Sequence, residues 1–265
     1  IRDLSNILLV GEEKTYELIE KMFVALRKCF DTDKVNIGMD EAPMMGRGKY
    51  LDKHGYPENV RGVLYDHLLK VGKIAEKYGF KPSMWSDLIM NMTEKGDSRE
   101  IPENVTLCYW DYYHDGKKHY DDNIKKHLAL TDKVSFAGGA WAWTGYAPMN
   151  KHSMFTMKYA MQFCRERGIK DVSMTVWGDD GRDCSCFAAL PTLFYCAEKY
   201  LYGTKDGDIK RKFGETYGVK FDTFLTLDLP NEIADRTGCN NPSRWGFYND
   251  PFVGRFDYHI SLGDG

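Results

Sequence analysis

The most constraining feature of this sequence is a repeated local pattern, in which short apolar runs alternate with longer stretches of helical periodicity. The runs are almost continuously apolar, which is typical of parallel strands buried on both faces. Alternation of such strands with helices predicts βαβ units and a parallel sheet. Five runs are predicted as strands, over residues 35–40, 82–87, 105–111, 134–141 and 172–178.

Acidic and aromatic residues gather where the predicted strands end. The carboxyl ends of the strands carry the active site in a (β/α)8 barrel. Five strands are too few for a complete barrel, so we expect an α/β fold, a partial (β/α)8 TIM barrel whose first strands lie outside this chain. Residues 7–10 are also apolar but lead directly into the first predicted helix, and their assignment as a sixth strand is left open. The strand-end residues are Asp40, Glu41, Trp85, Asp87, Tyr109, Trp110, Asp111, Trp141, Trp143, Trp177, Asp179 and Asp180.

The pattern changes after Tyr202, where helical stretches give way to irregular sequence. We therefore expect two parts. Residues 1–205 are predicted to be the C-terminal five-eighths of a TIM-barrel catalytic domain. Residues 206–265 are predicted to be a helical C-terminal extension that packs on the barrel.

Composition narrows the function classes. The 36 Lys and Arg residues are balanced by 39 Asp and Glu residues. The net charge of −3 therefore produces no positive electrostatic field that would attract nucleic acid or an anionic membrane. No run approaches the roughly 18 apolar residues that a membrane span needs.

The seven cysteines are scattered and odd in number, so reduced thiols are expected rather than a metal site. Free thiols and the lack of a visible signal peptide favour the cytoplasm. The chain has no initial Met and looks trimmed at its front, which leaves the compartment open.

The strand-end residues suggest a sugar-binding pocket. Pyranose rings stack their C–H faces on aromatic side chains, and carboxylates accept hydrogen bonds from sugar hydroxyls. A glycosidase also needs a general acid for the departing oxygen. In the usual scheme the two catalytic carboxylates come from different strands, so the adjacent pair Asp40 and Glu41 needs another explanation.

Residues 36–41, Asn-Ile-Gly-Met-Asp-Glu, resemble the strand-four signature of family 20 glycoside hydrolases, the β-N-acetylhexosaminidases. The resemblance continues in order through residues 84–87 (MWSD), 109–113 (YWDYY) and 177–180 (WGDD). It covers essentially the whole chain as strands four to eight. It implies action on glycans with terminal β-linked N-acetylglucosamine or N-acetylgalactosamine, and we expect no cofactor and no metal.

The resemblance explains the adjacent acids, because in this family the nucleophile belongs to the substrate. The oxygen of the sugar's own 2-acetamido group attacks the anomeric carbon and forms an oxazolinium intermediate. The resemblance implies that Glu41 is the general acid and then the base that activates water. Asp40 would orient the acetamido group and stabilise its positive charge.

Further roles are implied by position within the motifs. Tyr109 would donate a hydrogen bond to the acetamido carbonyl, Asp111 would bind a sugar hydroxyl, and Asp179 would hold O4 or O6. Two tryptophans follow the fourth strand of this chain, and the one that faces the sugar is left open. The pocket wall would consist of Trp85, Trp141, Trp143 and Trp177.

Two departures from the family pattern leave alternatives open. The eighth strand of the family often ends Trp-x-Glu, whereas this chain has Asp179, which is one methylene shorter. The early strands are absent, together with the arginine that grips the sugar. Exposed strand edges predict pairing with a second copy, as a homodimer, or with a missing N-terminal barrel segment. The alternatives are a retaining glycosidase with Asp111 or Asp179 as protein nucleophile, and a sugar-binding fragment without catalysis.

Overall fold

The computed structural model describes residues 1–96, 99–232 and 246–254. Its strands are β1 Arg2–Leu4, β2 Ile7–Leu8, β3 Lys34–Asn36, β4 Lys81–Trp85, β5 Thr106–Trp110, β6 Val134–Gly139 and β7 Asp171–Thr175. Its α-helices are α1 Glu13–Cys29, α2 Lys49–His54, α3 Val60–Lys77, α4 Asp87–Glu94, α5 Lys117–Leu130, α6 Asn150–Glu166, α7 Leu190–Tyr202, α8 Asp206–Tyr217 and α9 Phe221–Phe224. Short 3-10 helices cover Asp179–Gly181, Cys186–Ala189 and Leu225–Asn231. Every helix in the described ranges is too short or too polar to cross a membrane.

A five-stranded parallel sheet confirms the predicted fold class. Its strands lie in the order β3-β4-β5-β6-β7, and the helices α3, α4, α5 and α6 fall between successive strands in the chain. This is the arrangement of a partial (β/α)8 barrel. Residues 7–8 do form a strand, but β2 pairs antiparallel with β1 in a separate two-stranded sheet.

The strands end earlier than predicted, so many candidate site residues lie in the loops that follow them. β3 ends at Asn36, because the Asn36 side-chain oxygen accepts a hydrogen bond from the Gly38 N–H at 2.8 Å and begins a turn. The Trp85 N–H still donates to the Gly38 carbonyl at 3.0 Å. Asp40 and Glu41 therefore follow Gly38, whose backbone carbonyl makes this last hydrogen bond to β4.

The chain divides into two compact units. Unit one comprises Ile1–Trp110 and Lys126–Ser135, and unit two comprises Asp111–Lys125 and the described residues from Phe136 onward. In unit one, the sheet residues Met84 and Leu107 form a buried cluster with Leu68 of α3 and Leu88 of α4. Full burial of each such side chain stabilises the folded state by roughly 1.5–3 kcal/mol.

In unit two, the segment after α9 is held against α6 by buried polar contacts. The Asp228 carboxylate accepts hydrogen bonds from the Asn150 side chain at 3.0 Å and from the Lys151 N–H at 2.8 Å. The Asn231 amide donates to two backbone carbonyls just before α6. The predicted extension thus contains helices and a segment that contacts α6, while its boundary at residue 206 stays a prediction.

Six cysteines lie in the described ranges, and all six are free thiols. Cys29 and Cys186 are exposed, whereas the other four are buried. Burial raises the pKa of the Cys184 thiol to about 11 and also raises that of Cys164. Cys239 lies outside the described residues.

The loop that follows Glu41 is fixed by a buried carboxylate from the start of the chain. Asp3 is 5% exposed and accepts hydrogen bonds from the N–H groups of Gly46 at 2.7 Å, Gly48 at 3.2 Å and Tyr50 at 2.7 Å. The approach is close, since a Cβ at Gly48 would lie 2.1 Å from the Asp3 carbonyl oxygen. Only glycine is compatible with this contact.

We expect Asp3→Ala to lower the free energy of unfolding by about 3 kcal/mol, because three N–H donors lose a charged acceptor. Asp3→Asn keeps one acceptor oxygen and should lose less. Urea denaturation followed by circular dichroism measures both variants. The control is Asp31→Ala, which removes an exposed carboxylate. Equal losses for Asp3→Ala and Asp31→Ala would contradict this account.

Candidate active site

The two adjacent acids lie in a strained loop. Asp40 and Glu41 are both exposed and follow β3. Gly38, Met39 and Glu41 adopt positive φ angles of 80°, 78° and 44°. Such a conformation is uncommon for residues other than glycine and costs on the order of 1–3 kcal/mol for each. The fold therefore holds the two carboxylates in a backbone geometry that this sequence would not favour as an isolated peptide.

A third carboxyl group, that of Asp87 at the start of α4, lies beside this loop. The pKa of Asp87 is raised by partial burial and then by the negative charges of Asp40 and Glu41. A hydrogen bond from the Trp110 indole N–H, at 2.9 Å, acts in the opposite direction and orients the carboxylate. Asp87 is thus electrostatically coupled to the adjacent acids.

Strand register determines which aromatic residues share a face of the sheet. Trp85 pairs with Cys108, so Trp85, Cys108 and Trp110 project from the same face. Leu107 and Tyr109 project from the opposite face, where Leu107 belongs to the buried core. The structure therefore brings Trp85 and Trp110 to one face and places Tyr109 on the other.

Tyr109 was predicted to contact the acetamido carbonyl, and the structure places it against a helix. Its side chain is 7% exposed and stacks on His127 of α5, with ring centroids 4.7 Å apart. The Nε2 atom of His127 lies 2.9 Å from the Ser86 hydroxyl. The predicted role of Tyr109 stays a prediction, and it requires the ring to reach sugar from this buried position.

A cavity of about 790 Å³ opens beside Glu41 in unit one. Its polar lining consists of Glu41 and Asp87 with Arg61 of α3 and Asn91 of α4. A cavity of this size, with an apolar lining and a few polar groups, is typical of small-ligand sites. The remaining lining residues are Met39, Ala42, Pro43, Tyr56, Val60, Leu64 and Leu88.

In unit two, Asp111 is the centre of a group of hydrogen bonds. Asp111 is 5% exposed, and its carboxylate accepts hydrogen bonds from the backbone N–H groups of Tyr113 at 3.0 Å and His114 at 3.3 Å. Ring nitrogens of His114 and His119 lie 2.9 Å and 2.7 Å from it. Burial alone would raise the pKa of Asp111, but the hydrogen bonds outweigh burial and lower the pKa. The carboxylate predicted to bind a sugar hydroxyl is thus already shared by two histidines.

Asp111, His114 and His119 also form a set of three donors that could hold a metal ion, with donor atoms within 4.8 Å of one another. Two imidazoles and a carboxylate suit zinc and other transition metals. The two imidazole rings, however, stack with centroids 3.8 Å apart and planes only 15° from parallel. Nearly parallel rings cannot both direct a lone pair at one ion, so metal binding would require one ring to rotate.

The three tryptophans of unit two that were predicted for the pocket wall meet around Tyr112. Trp141 and Trp143 are buried and stack with centroids 4.5 Å apart. The Trp141 indole N–H donates to the Tyr112 carbonyl at 3.0 Å, and the Trp177 indole N–H donates to the Tyr112 hydroxyl at 3.1 Å. Tyr112 belongs to the aromatic run after β5, and from the sequence it could either line an outer sugar subsite or cover a loop; in the structure it is the residue around which these tryptophans pack.

Asp179 begins the 3-10 helix Asp179–Gly181 and is exposed. Its backbone carbonyl accepts a hydrogen bond from the Arg182 N–H at 3.3 Å, and Arg182 has a φ of 55°. Among the described residues, none forms a hydrogen bond or an ion pair with the Asp179 carboxylate. That carboxylate is therefore available to a ligand.

No protein-family model and no curated protein sequence matches this chain significantly. Solved structures do match. β-N-Acetylhexosaminidase from Bacteroides fragilis aligns at 14% identity with a TM-score of 0.56, covering 83% of this chain and 47% of that one. Another β-N-acetylhexosaminidase aligns at 13% identity with a TM-score of 0.51, covering 89% and 51%.

The family 20 exo-β-N-acetylglucosaminidase from Vibrio harveyi, solved with N-acetylglucosamine, aligns at 13% identity with a TM-score of 0.50. The alignment covers 84% of this chain and 36% of that one. The chain thus spans about half, or less, of the length of the structures it matches. At these identities the likeness establishes the fold alone, which is that of part of a (β/α)8 barrel.

We expect Trp110→Phe to raise the pKa of Asp87 further, because the substitution removes the hydrogen bond that stabilises the carboxylate. Asp40→Asn should lower the pKa of Asp87, because it removes a neighbouring negative charge. Carboxyl ¹³C NMR titration of the two variants and the wild type measures both effects. Shifts in the same direction for the two substitutions would contradict the assigned causes.

Tyr112→Phe should reduce the free energy of unfolding by about 1 kcal/mol, because the Trp177 indole N–H loses its acceptor. The Trp177 indole ¹H–¹⁵N resonance should shift at the same time. The matched control is Tyr202→Phe, at a side chain that is 65% exposed. An unchanged Trp177 resonance in Tyr112→Phe would show that the hydrogen bond does not form in solution.

Proposed function

We propose that this chain is part of a family 20 glycoside hydrolase that removes terminal β-linked N-acetylglucosamine or N-acetylgalactosamine from glycans with retention of configuration. The observation that carries the proposal is the pair Asp40 and Glu41, held in a strained loop after a parallel strand. The fold shared with solved β-N-acetylhexosaminidases supports it.

In this proposal Glu41 serves the leaving group. Its carboxyl group donates a proton to the glycosidic oxygen as the bond to the anomeric carbon breaks. Its carboxylate then accepts a proton from the water that opens the oxazolinium intermediate, which restores the starting state. The exposure of Glu41 and its position on the cavity wall are consistent with access to both a leaving group and water.

Asp40 serves the internal nucleophile. Its carboxylate would accept a hydrogen bond from the acetamido N–H, which directs the acetamido oxygen toward the anomeric carbon. As that oxygen forms its new bond, positive charge spreads over the acetamido group and is stabilised by the nearby carboxylate. Adjacent residues can perform these two tasks because the positive φ of Glu41 turns the chain sharply between them.

The remaining assignments are individual proposals. Trp85 and Trp177 are proposed to pack against the sugar, and the exposed carboxylate of Asp179 to bind a hydroxyl. Asp111 is also proposed to bind a sugar hydroxyl, although its carboxylate is already in contact with the rings of His114 and His119. Trp141 and Trp143 are buried and support the wall through their stacking.

We expect Glu41→Gln to lower kcat/KM for an aryl N-acetyl-β-glucosaminide by roughly 10²–10⁴-fold, because an amide cannot transfer the proton. Asp40→Asn should lower the preference for this substrate over the matching aryl β-glucoside. Fluorogenic assays with both substrates measure these changes.

The matched control is Glu58→Gln, which changes an exposed glutamate between α2 and α3. It should leave both rates unchanged. Equal turnover of the β-glucoside by the wild type, or an unimpaired Glu41→Gln variant, would refute the proposed mechanism.

A further inference from the structure

Two imidazole nitrogens converge on a single oxygen atom of the Asp111 carboxylate. The Nδ1 atom of His114 lies 2.9 Å from Oδ2, and the Nε2 atom of His119 lies 2.7 Å from the same oxygen. All three residues belong to unit two. Atoms that share a tetrahedral zinc ion lie roughly 3.3 Å apart, because each is about 2.0–2.2 Å from the metal. The donor atoms of this cluster are all within 4.8 Å of one another, which is close to that spacing.

Hydrogen bonds hold the backbone of the cluster in position. The His114 carbonyl accepts a hydrogen bond from the Tyr120 hydroxyl at 2.8 Å, and Tyr120 is fully buried. The His119 carbonyl accepts one from the Asn123 side-chain amide at 2.9 Å. The Asp111 carboxylate is itself oriented by backbone N–H groups of the loop that it begins. Metal sites depend on outer hydrogen bonds of this kind, which orient the ligands before the ion binds.

The stacking of the two imidazole rings is the one obstacle to a shared ion, and His114 is the ring that is able to turn. Its side chain is 56% exposed and lies in the loop after β5, whereas His119 is in α5 and is less exposed. A change of rotamer turns the ring and leaves the hydrogen-bonded backbone in place. Exposed side chains exchange rotamers within picoseconds to nanoseconds, so the barrier to this rearrangement is small.

We propose that Asp111, His114 and His119 form a binding site for a zinc ion, with the His114 ring turned out of the stack. Two imidazoles and one carboxylate are a ligand set that zinc accepts, and three protein ligands leave a fourth position for water. Magnesium and calcium prefer sites made of oxygen atoms, so they should bind far more weakly than zinc. This assignment departs from the expectation of no metal.

The first test is isothermal titration calorimetry of the full chain, free of any histidine tag and stripped of metal, with zinc chloride and with magnesium chloride. We expect one zinc ion to bind per chain. His114→Gln removes a ligand at an exposed position and should weaken zinc binding by about 100-fold or more, since loss of an outer hydrogen-bond partner alone costs roughly 10–100-fold. The matched control is His54→Gln, which changes an exposed histidine of α2 and should leave the affinity unchanged.

The second test does not depend on a variant. ¹H–¹⁵N spectra of the imidazole rings of the wild type, recorded with and without zinc, identify the histidines that bind it. The ring nitrogens of His114 and His119 should shift on addition of zinc, and those of His54 should not.

Equal zinc affinity in the wild type and in folded His114→Gln would place the ion elsewhere, for example on the exposed thiols, and would overturn the proposal. Unshifted resonances of His114 and His119, or a wild type that binds no zinc, would show that the cluster is held by hydrogen bonds alone and would overturn it as well. Circular dichroism establishes whether each variant is folded. These measurements use no sugar, so their outcome is independent of the proposed hydrolysis.

Discussion

Strand register is the constraint on which the acidic site of unit one depends. Because Trp85 pairs with Cys108, the side chains of Trp85 and Trp110 emerge on one face and that of Tyr109 on the other. A shift of one residue would exchange the two faces of a strand. It would direct Trp110 away from Asp87 and leave that carboxylate without its indole donor. The electrostatics of the acids thus follow from the pairing of two strands.

The acidic loop combines unfavourable backbone geometry with like charges. Met39 and Glu41 have positive φ angles, and Asp87 is close enough to Asp40 and Glu41 for their charges to raise its pKa. Contacts elsewhere offset these costs. The turn at Asn36 fixes the entry to the loop, and Asp3 fixes its exit through three backbone N–H groups. The strained backbone of the acidic loop is therefore held in place by hydrogen bonds at both of its ends, to a neutral side chain at its entry and to a charged one at its exit.

The sequence was sufficient to predict the fold class, because apolar runs and helical periodicity are local properties. It also showed which strand ends carry acids and tryptophans. It could not show that β3 ends at Asn36, since a single side-chain-to-backbone hydrogen bond determines this. Nor could the sequence show which face of the sheet Tyr109 and Trp110 each occupy. Strand alternation predicts that their side chains point to opposite faces. Which face each one takes is determined by the packing of Tyr109 on His127 and by the pairing of β5 with β4. The contact of Asp3 with the loop after Glu41 joins residues too distant in sequence for any local pattern.

The distribution of thiols has a practical consequence for spectroscopy. Cys29 and Cys186 are exposed and belong to different units, whereas the other described cysteines are buried. Once Cys239 is replaced by serine, a maleimide spin label should attach preferentially at these two positions. The native sequence thus supplies one attachment point in each unit. Dipolar spectroscopy between the two labels would then report the separation of the units in solution and any change in it when sugar is added.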